Sequence, residues 1–220
     1  QRATLDPAWF CEHVLRSPNH PWQSEAMDAV ADLDRARAGL TPRVNSKLLH
    51  RFTFRAGHGK GKTHFLAKLA HWFAFTRKGR IPCTAPKQAQ LKTRLWPELR
   101  KLRHSAIPEY QALCEVRMQD VIWGKDPDHC AIAETANDPE NLAGYHDDWL
   151  MFLVDEASGV NERFIPTIEG ALTLPTNILV LSGNTTRIEG EFYDSHMRPR
   201  TSALYWGMHI RADDPPTNMA

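Results

Sequence analysis

Three groups of residues have the types and spacing to do chemistry, and each follows an apolar or β-type run. Ala56-Gly57-His58-Gly59-Lys60-Gly61-Lys62-Thr63 fits the spacing Gly/Ala-x-x-x-x-Gly-Lys-Ser/Thr. Glycines in such a loop let successive backbone N–H groups turn inward around phosphate oxygens, and a following helix presents its positive N-terminus to the same charge. Lys62 then reaches the β- and γ-phosphates, and the Thr63 hydroxyl holds Mg²⁺. Asp155-Glu156 close the run Leu150–Val154. A carboxylate at a strand tip beside a phosphate loop is the Walker B arrangement, with Asp155 as metal ligand. A second carboxylate there, Glu156, can polarise an attacking water, which marks a hydrolase rather than a small-molecule kinase. An acidic pair capping the next helix is the bland alternative. Ser182-Gly183-Asn184 closes Ile178–Leu181. The Asn184 amide would sense the γ-phosphate and pass the change to Thr185-Thr186-Arg187, although Ser-Gly-Asn is also a common turn.

Further side chains could complete such a site. Gln23, in Pro21-Trp22-Gln23, can pair bidentately with adenine N6 and N7, with Trp22 stacking nearby. A surface glutamine near a helix start is the alternative. Arg55, directly before the loop, and Arg187 are in-chain candidates to stabilise transition-state charge. Between Arg117 and Arg163 there is no arginine, so the stretch before Asp155 offers none. A basic segment holds Arg77, Lys78, Arg80, Lys87, Lys92, Arg94, Arg100, Lys101 and Arg103, opposed only by Glu98. It is the candidate for sequence-blind contact with DNA phosphates, a solvated helix face being equally good for any single member.

These residues need strands that end together. The pattern predicts a helix from about Trp22 to Ala38, a strand Leu48–Phe54, a helix Thr63–Phe75 and a short strand Ile81–Ala85. A basic helix from about Lys87 to Leu102 follows, then paired strands Val121–Trp123 and Ala131–Glu134, expected at a sheet edge. Last come the two apolar strands, with a helix near Glu162–Leu172 between them, and a strand near Ala203–Ile210. Continuous apolar runs suit strands covered on both faces, and the alternation of strands with helices argues for an α/β fold with a mostly parallel sheet and helices on both sides. Ligands of such sheets sit at the carboxyl ends of the strands.

The 220 residues can bury one good core. Residues 1–46 read as a small N-terminal helical segment, 47–211 as the catalytic core, and 212–220 as the start of a linker. With 42% hydrophobic residues and a formal charge of +1, nothing global points to nucleic acid or membrane. Cys11, Cys83, Cys114 and Cys130 form no metal-like spacing and read as reduced, cytosolic thiols. His64 and His71 share a helix face without a completed metal set, so packing or solvation suits them better. No apolar run reaches membrane-span length, and no signal peptide opens the chain. Starting at Gln1 and stopping past a linker-like stretch, the chain reads as a fragment of a longer protein.

Taken in order, these motifs resemble the ATPase domain of tailed-bacteriophage terminase large subunits. Pro21-Trp22-Gln23, Arg55 through Thr63, and Thr84-Ala85-Pro86 with Gln88 or Gln90 carry the likeness. So do Asn141-Leu142-Ala143-Gly144 through Val154-Asp155-Glu156-Ala157-Ser158-Gly159-Val160, Ser182 through Arg187, and Gly190-Glu191-Phe192-Tyr193. The resemblance implies a P-loop NTPase fold of the RecA-like type and an ATP- and Mg²⁺-dependent motor that pushes double-stranded DNA into a procapsid. It implies work in the cytoplasm of an infected bacterium, with a portal protein and a small terminase subunit. It further implies a ring, usually of five subunits, when assembled, and a monomer in isolation. Ala56 replaces the first loop glycine, Thr185 stands where many relatives have proline, and the loop's frequent arginine is absent. The family's C-terminal nuclease carboxylates have no counterpart after Asp213-Asp214, so no DNA cleavage is expected of this fragment. A neighbouring subunit supplying an arginine in trans would make the isolated fragment a weak ATPase. A helicase-type ATPase would need a second lobe for which there is no room, and a non-hydrolysing switch would not need Glu156.

Overall fold

The computed structural model describes residues 2–134, 142, 144–211 and 213. Asn141 and Ala143, and the linker expected at 212–220 apart from residue 213, lie outside them. Eight strands form one sheet: β1 (Arg51–Ala56), β2 (Ile81–Thr84), β3 (Cys114–Val116), β4 (Asp120–Trp123), β5 (Asp126–Ala133), β6 (Met151–Val154), β7 (Ile178–Gly183) and β8 (Trp206–Ile210), in the order β3-β4-β5-β2-β6-β7-β1-β8. Every pairing from β5 to β8 is parallel; β3, β4 and β5 pair antiparallel. The expected pair is therefore present, but β5 is not at an edge. It hydrogen-bonds to β2, and the short strand β3, whose Cys114-Glu115-Val116 carries no clear strand signal, takes the edge.

The apolar runs of β6 and β7 are explained by burial on both faces. Successive side chains of a strand point to opposite faces. Met151, Leu153, Ile178 and Val180 accordingly enter one core, and Phe152, Val154, Leu179 and Leu181 enter the other. The first core is roofed by helices α1 (Arg2–Leu5), α2 (Pro7–His13), α3 (Pro21–Arg37) and α4 (Lys62–Thr76), with α1 and α2 packing directly onto α4. The second is closed by Phe164, Ile165, Ile168 and Ala171 of the helix Phe164–Ala171 and by Phe192.

Between α3 and β1 the chain is pinned by one buried carboxylate. Asp32 accepts the backbone N–H groups of Arg43, Val44 and Asn45 at 2.7–2.8 Å and the Arg35 guanidinium at 2.7 Å. Those hydrogen bonds outweigh burial and hold its carboxyl below the ordinary range.

The expected basic helix runs without interruption over residues 88–105, but it is not α-helical throughout. A short turn, α5 (Gln88–Gln90), leads into a π-helical turn, Leu91–Leu95, before α6 (Trp96–Ser105). Pro97 is the physical cause: its ring clashes with the carbonyl four residues back, so the preceding turn widens and Trp96 N–H bonds to Leu91 O. Arg94 sits on that widened turn.

His71 of α4 is wholly buried, beside Tyr110 and Trp123. Trp123 Nε1–H donates to Tyr110 Oη (2.9 Å), the Tyr110 hydroxyl meets His71 Nδ1 (2.7 Å), and His71 Nε2 meets Leu99 O (3.0 Å). This chain of donors is complete with a neutral imidazole, and burial pushes the His71 pKa down to about 4. Between about 6.5 and about 4 the unfolded chain binds a proton that the folded chain refuses, so stability falls as pH drops through that window. The loss from His71 is about 3 kcal/mol, complete below the folded value. Urea midpoints measured from pH 7 to pH 4 check this. The wild type should lose stability more steeply than His71→Gln, and equal slopes would exclude the buried neutral histidine as a cause.

Candidate nucleotide-binding site

Parallel order puts the carboxyl ends of β1, β7 and β6 side by side, and the three chemical clusters leave the sheet there. After β1 the chain turns through Gly59 (φ 74°) and Gly61 (φ 75°), left-handed conformations that glycine adopts without cost. Gly61 is the N-cap of α4, so the helix begins at Lys62 with its first N–H groups toward the loop. Lys62 Nζ donates to Ala56 O (2.9 Å) and Gly57 O (2.8 Å), which centres the ammonium over the loop. Burial lowers its pKa, and nearby Glu156 and Asp155 oppose that shift.

Asp155 and Thr63, 92 residues apart in the chain, touch: the Thr63 hydroxyl donates to Asp155 Oδ2 at 3.2 Å. Asp155 is buried and its other oxygen accepts Glu156 N–H at 3.0 Å. Burial first, then the Glu156 charge, raises its pKa. A hydroxyl and a carboxylate so placed, all hard oxygen, fit Mg²⁺, which binds through few protein oxygens and completes its shell with phosphates and water. Among the described residues no cluster of three or more His, Cys, Asp or Glu is arranged as a metal cage. Glu156 adopts a left-handed backbone (φ 50°), uncommon for a residue with a Cβ, and this turns its side chain out of the strand line.

Loop and carboxylate share one cavity of about 590 Å³. His58, Gly59, Lys60, Gly61, Lys62 and Thr63 line it together with Gln23, Arg94, Lys101 and Glu156. Two residues assigned to DNA by their charge alone thus stand at the nucleotide cavity. Arg94 Nη1 donates to Glu156 Oε1 at 3.2 Å. The sequence signal that could have found Arg94 is Pro97, which widens the helical turn that carries it. Arg55 is elsewhere: its guanidinium meets His209 Nδ1 (2.8 Å) and the Met197 sulfur (3.5 Å), and it does not line the cavity.

Ser182 and Gly183 end β7 beside the Asp155-Glu156 turn, and Asn184 follows them. A Cβ on Gly183 would meet Ala157 N at 3.1 Å and Glu156 C at 3.4 Å, so any other residue would push the Asp155-Glu156 turn away from this strand tip. Ser182 is fully buried and Asn184 half-buried. Sequence reasoning missed the link beyond them. The Ser158 hydroxyl accepts Thr186 N–H (3.1 Å) and Arg187 N–H (3.2 Å), tying the Asp155-Glu156 turn to the segment after Asn184. Arg187 is exposed and does not line the nucleotide cavity.

The basic segment divides. Arg77 is buried against Asp34 and the Trp72, Phe73 and Trp149 rings, Lys78 pairs with Asp126 (2.5 Å), and Arg80 pairs with Asp128 and Asp147. Arg103 donates to Cys114 O (2.5 Å) and Gln111 O (3.0 Å), joining α6 to β3. Lys87, Lys92 and Arg100 are exposed.

Gln23 lines the nucleotide cavity, whereas Trp22 is placed away from it. Gln23 is fully buried at the third position of α3, where Oε1 accepts His20 N–H (3.2 Å), the helix-capping contact expected of a glutamine there. Trp22 packs on Phe65 and lines a separate cavity of about 360 Å³ with Met208, His209 and Ile210.

No family model matches the chain. It is 31% identical over 154 residues to a protein of Enterobacteria phage P7 described as a probable terminase large subunit, a match covering 65% of this chain and 30% of that protein. Among solved structures, the large terminase of bacteriophage HK97 superposes with a TM-score of 0.63 at 16% identity, over 96% of this chain and 45% of that one. The large terminase of the thermophilic bacteriophage D6E, solved in complex with ADP, gives 0.60 at 10% identity over 86% and 46%. The ATPase domain of the Thermus phage P74-26 large terminase, in a point-mutant form, gives 0.51 at 16% identity over 80% and 84%. The chain thus spans about a third of its curated relative's length and less than half of two of the solved chains. In sequence this chain is similar to a probable terminase large subunit over 154 residues, and in fold it matches the ATPase domain of the P74-26 large terminase.

Proposed function

We propose that this chain binds and hydrolyses ATP, and that in the whole protein the hydrolysis moves double-stranded DNA into a procapsid. The contact between Thr63 and Asp155, with Glu156 lining the same cavity as the phosphate loop, carries this reading. Backbone N–H groups of residues 57–63 and the Lys62 ammonium would hold the phosphates. Thr63 and Asp155 would hold Mg²⁺, which supplies charge neutralisation on the phosphate oxygens. Glu156 would orient a water and accept its proton, and Arg94, at 3.2 Å from Glu156, would meet charge growing on the γ-phosphate. Asn184 and Ser182, through the strand tip at Gly183 and the Ser158 clamp on residues 186–187, would carry the γ-phosphate state away from the site. The ADP held by the D6E relative supports a nucleotide as ligand.

Of the basic segment, exposed Lys87, Lys92 and Arg100 remain suited to DNA phosphates. A portal protein, a small terminase subunit and a ring of like subunits, in the cytoplasm of an infected host, belong to the same reading. Binding tests its first step: Lys62→Ala should abolish the uptake of Mg²⁺–ATP seen with the wild type by calorimetry. Unchanged affinity in that variant would take the phosphate loop out of the account.

A further inference from the structure

The Arg94 guanidinium reaches Glu156 through one hydrogen bond from a side chain 51% exposed, so the turn that carries Arg94 has to fix its place. That turn runs into α6, whose Trp96, Leu99 and Leu102 are buried in the core that α4 also enters. Apolar burial is non-directional and does not by itself set how far a helix end reaches toward a ligand. Two polar ties between α4 and α6 add direction. Deep in the core, His71 holds Leu99 O; at the cavity end, His64 Nδ1–H donates to Glu98 Oε2 at 2.6 Å. Ser17 Oγ lies 3.1 Å from His64 Nε2, so both ring nitrogens are engaged and the imidazole is fixed in orientation. The His64 hydrogen bond outweighs burial and holds the Glu98 carboxyl below its ordinary range, which keeps the acceptor ionised. His64 follows Thr63 directly in the first turn of α4, Glu98 stands four residues after Arg94, and His64, Arg94 and Glu98 all line the nucleotide cavity.

We infer that His64 and Glu98 are positioning residues for Arg94, tying the first turn of the phosphate-loop helix to the turn that carries the arginine. The pair sets where the guanidinium stands beside Glu156 and the γ-phosphate. This rests on the hydrolysis reading above and deepens it. Neither side chain is a catalytic residue; both act through Arg94. Without the tie α6 stays packed by its apolar face, but Arg94 is no longer held on the reacting phosphate. A misplacement on the order of 1 Å costs up to roughly 10²-fold in rate. Nucleotide binding is spared, because Lys62 keeps its contacts with Ala56 O and Gly57 O, and Thr63 keeps its contact with Asp155.

The test is single-turnover phosphate release from Mg²⁺–ATP, with Mg²⁺–ADP affinity measured by calorimetry on the same proteins. The wild type is compared with His64→Ala, Glu98→Ala, Glu98→Gln, Arg94→Ala and the double variant His64→Ala/Arg94→Ala. His64→Ala and Glu98→Ala should each slow release roughly 10- to 100-fold and leave ADP affinity within a few-fold. Glu98→Gln, whose amide oxygen still accepts from His64, should release phosphate at close to the wild-type rate. Adding His64→Ala to Arg94→Ala should cost no more than about 2-fold, since no arginine is left to place. A full multiplicative loss in the double variant overturns the inference. So does a large loss of ADP affinity in either alanine variant, which would make that side chain part of the binding pocket. Arg94→Ala at the wild-type rate overturns it too, while leaving hydrolysis at Glu156 standing. A wild type that binds ADP yet releases no phosphate would instead defeat the hydrolysis reading beneath it.

Discussion

Glu156→Gln lowers triphosphate turnover at least ~100-fold, the scale of losing a general base, and leaves Mg²⁺–nucleotide affinity within a few-fold. The geometry separates these effects. Binding is assigned to the loop backbone, Lys62 and the Thr63–Asp155 pair, none of which depends on the Glu156 side chain for position. Asp155 is held instead by the Glu156 backbone N–H, which the substitution keeps. Single-turnover phosphate release with affinity measured in parallel checks the split. Turnover near wild type would remove Glu156 from the chemistry, and a matching loss of affinity would make it a binding residue.

Arg94→Ala lowers turnover roughly 10²- to 10³-fold, the range for removing one donor that stabilises transition-state charge. Arg55→Ala stays close to the wild type. The two arginines are distinguished by place: Arg94 lines the loop cavity and touches Glu156, whereas Arg55 faces His209 and Met197. Affinity for the diphosphate should change little in either variant, because the charge Arg94 meets develops at the γ-phosphate. The opposite ranking in single-turnover assays would return Arg55 to the site and make the Arg94–Glu156 pair incidental.

The parts of this site legible in the sequence are those governed by local rules. The loop is spelled by glycine freedom and helix polarity, and Asp155-Glu156 is marked by the buried strand before it. The unbroken apolar runs of β6 and β7 reveal the doubly covered sheet, because each face of a buried strand demands apolar side chains. What was not legible depends on partners far away in the chain. Positive charge at Arg77, Lys78, Arg80 and Arg103 looks available in the sequence, yet Asp34, Asp126, Asp128 and two backbone carbonyls lie opposite it in the fold. Gln23 carries two readings, base contact or helix start, and its contacts with Lys68 and Gly61 come from far along the chain. The Ser158 clamp has no signal, since one serine hydroxyl in a turn resembles any other.

The central claim is that this chain hydrolyses a triphosphate at Glu156 in a site that assembly completes. Phosphate release from Mg²⁺–ATP across a wide range of protein concentration, with and without double-stranded DNA and with Glu156→Gln as the zero, tests it most directly. The account predicts release that is slow at dilute concentration, absent in the variant, and faster per molecule as concentration rises or DNA is added. A site that still lacked a second arginine, supplied beside Arg94 by a neighbouring subunit, would run up to about 10³- to 10⁵-fold below the completed one, which sets the room for stimulation. A wild-type chain that binds the triphosphate yet releases no phosphate above the Glu156→Gln zero, at any concentration and with DNA present, would contradict it.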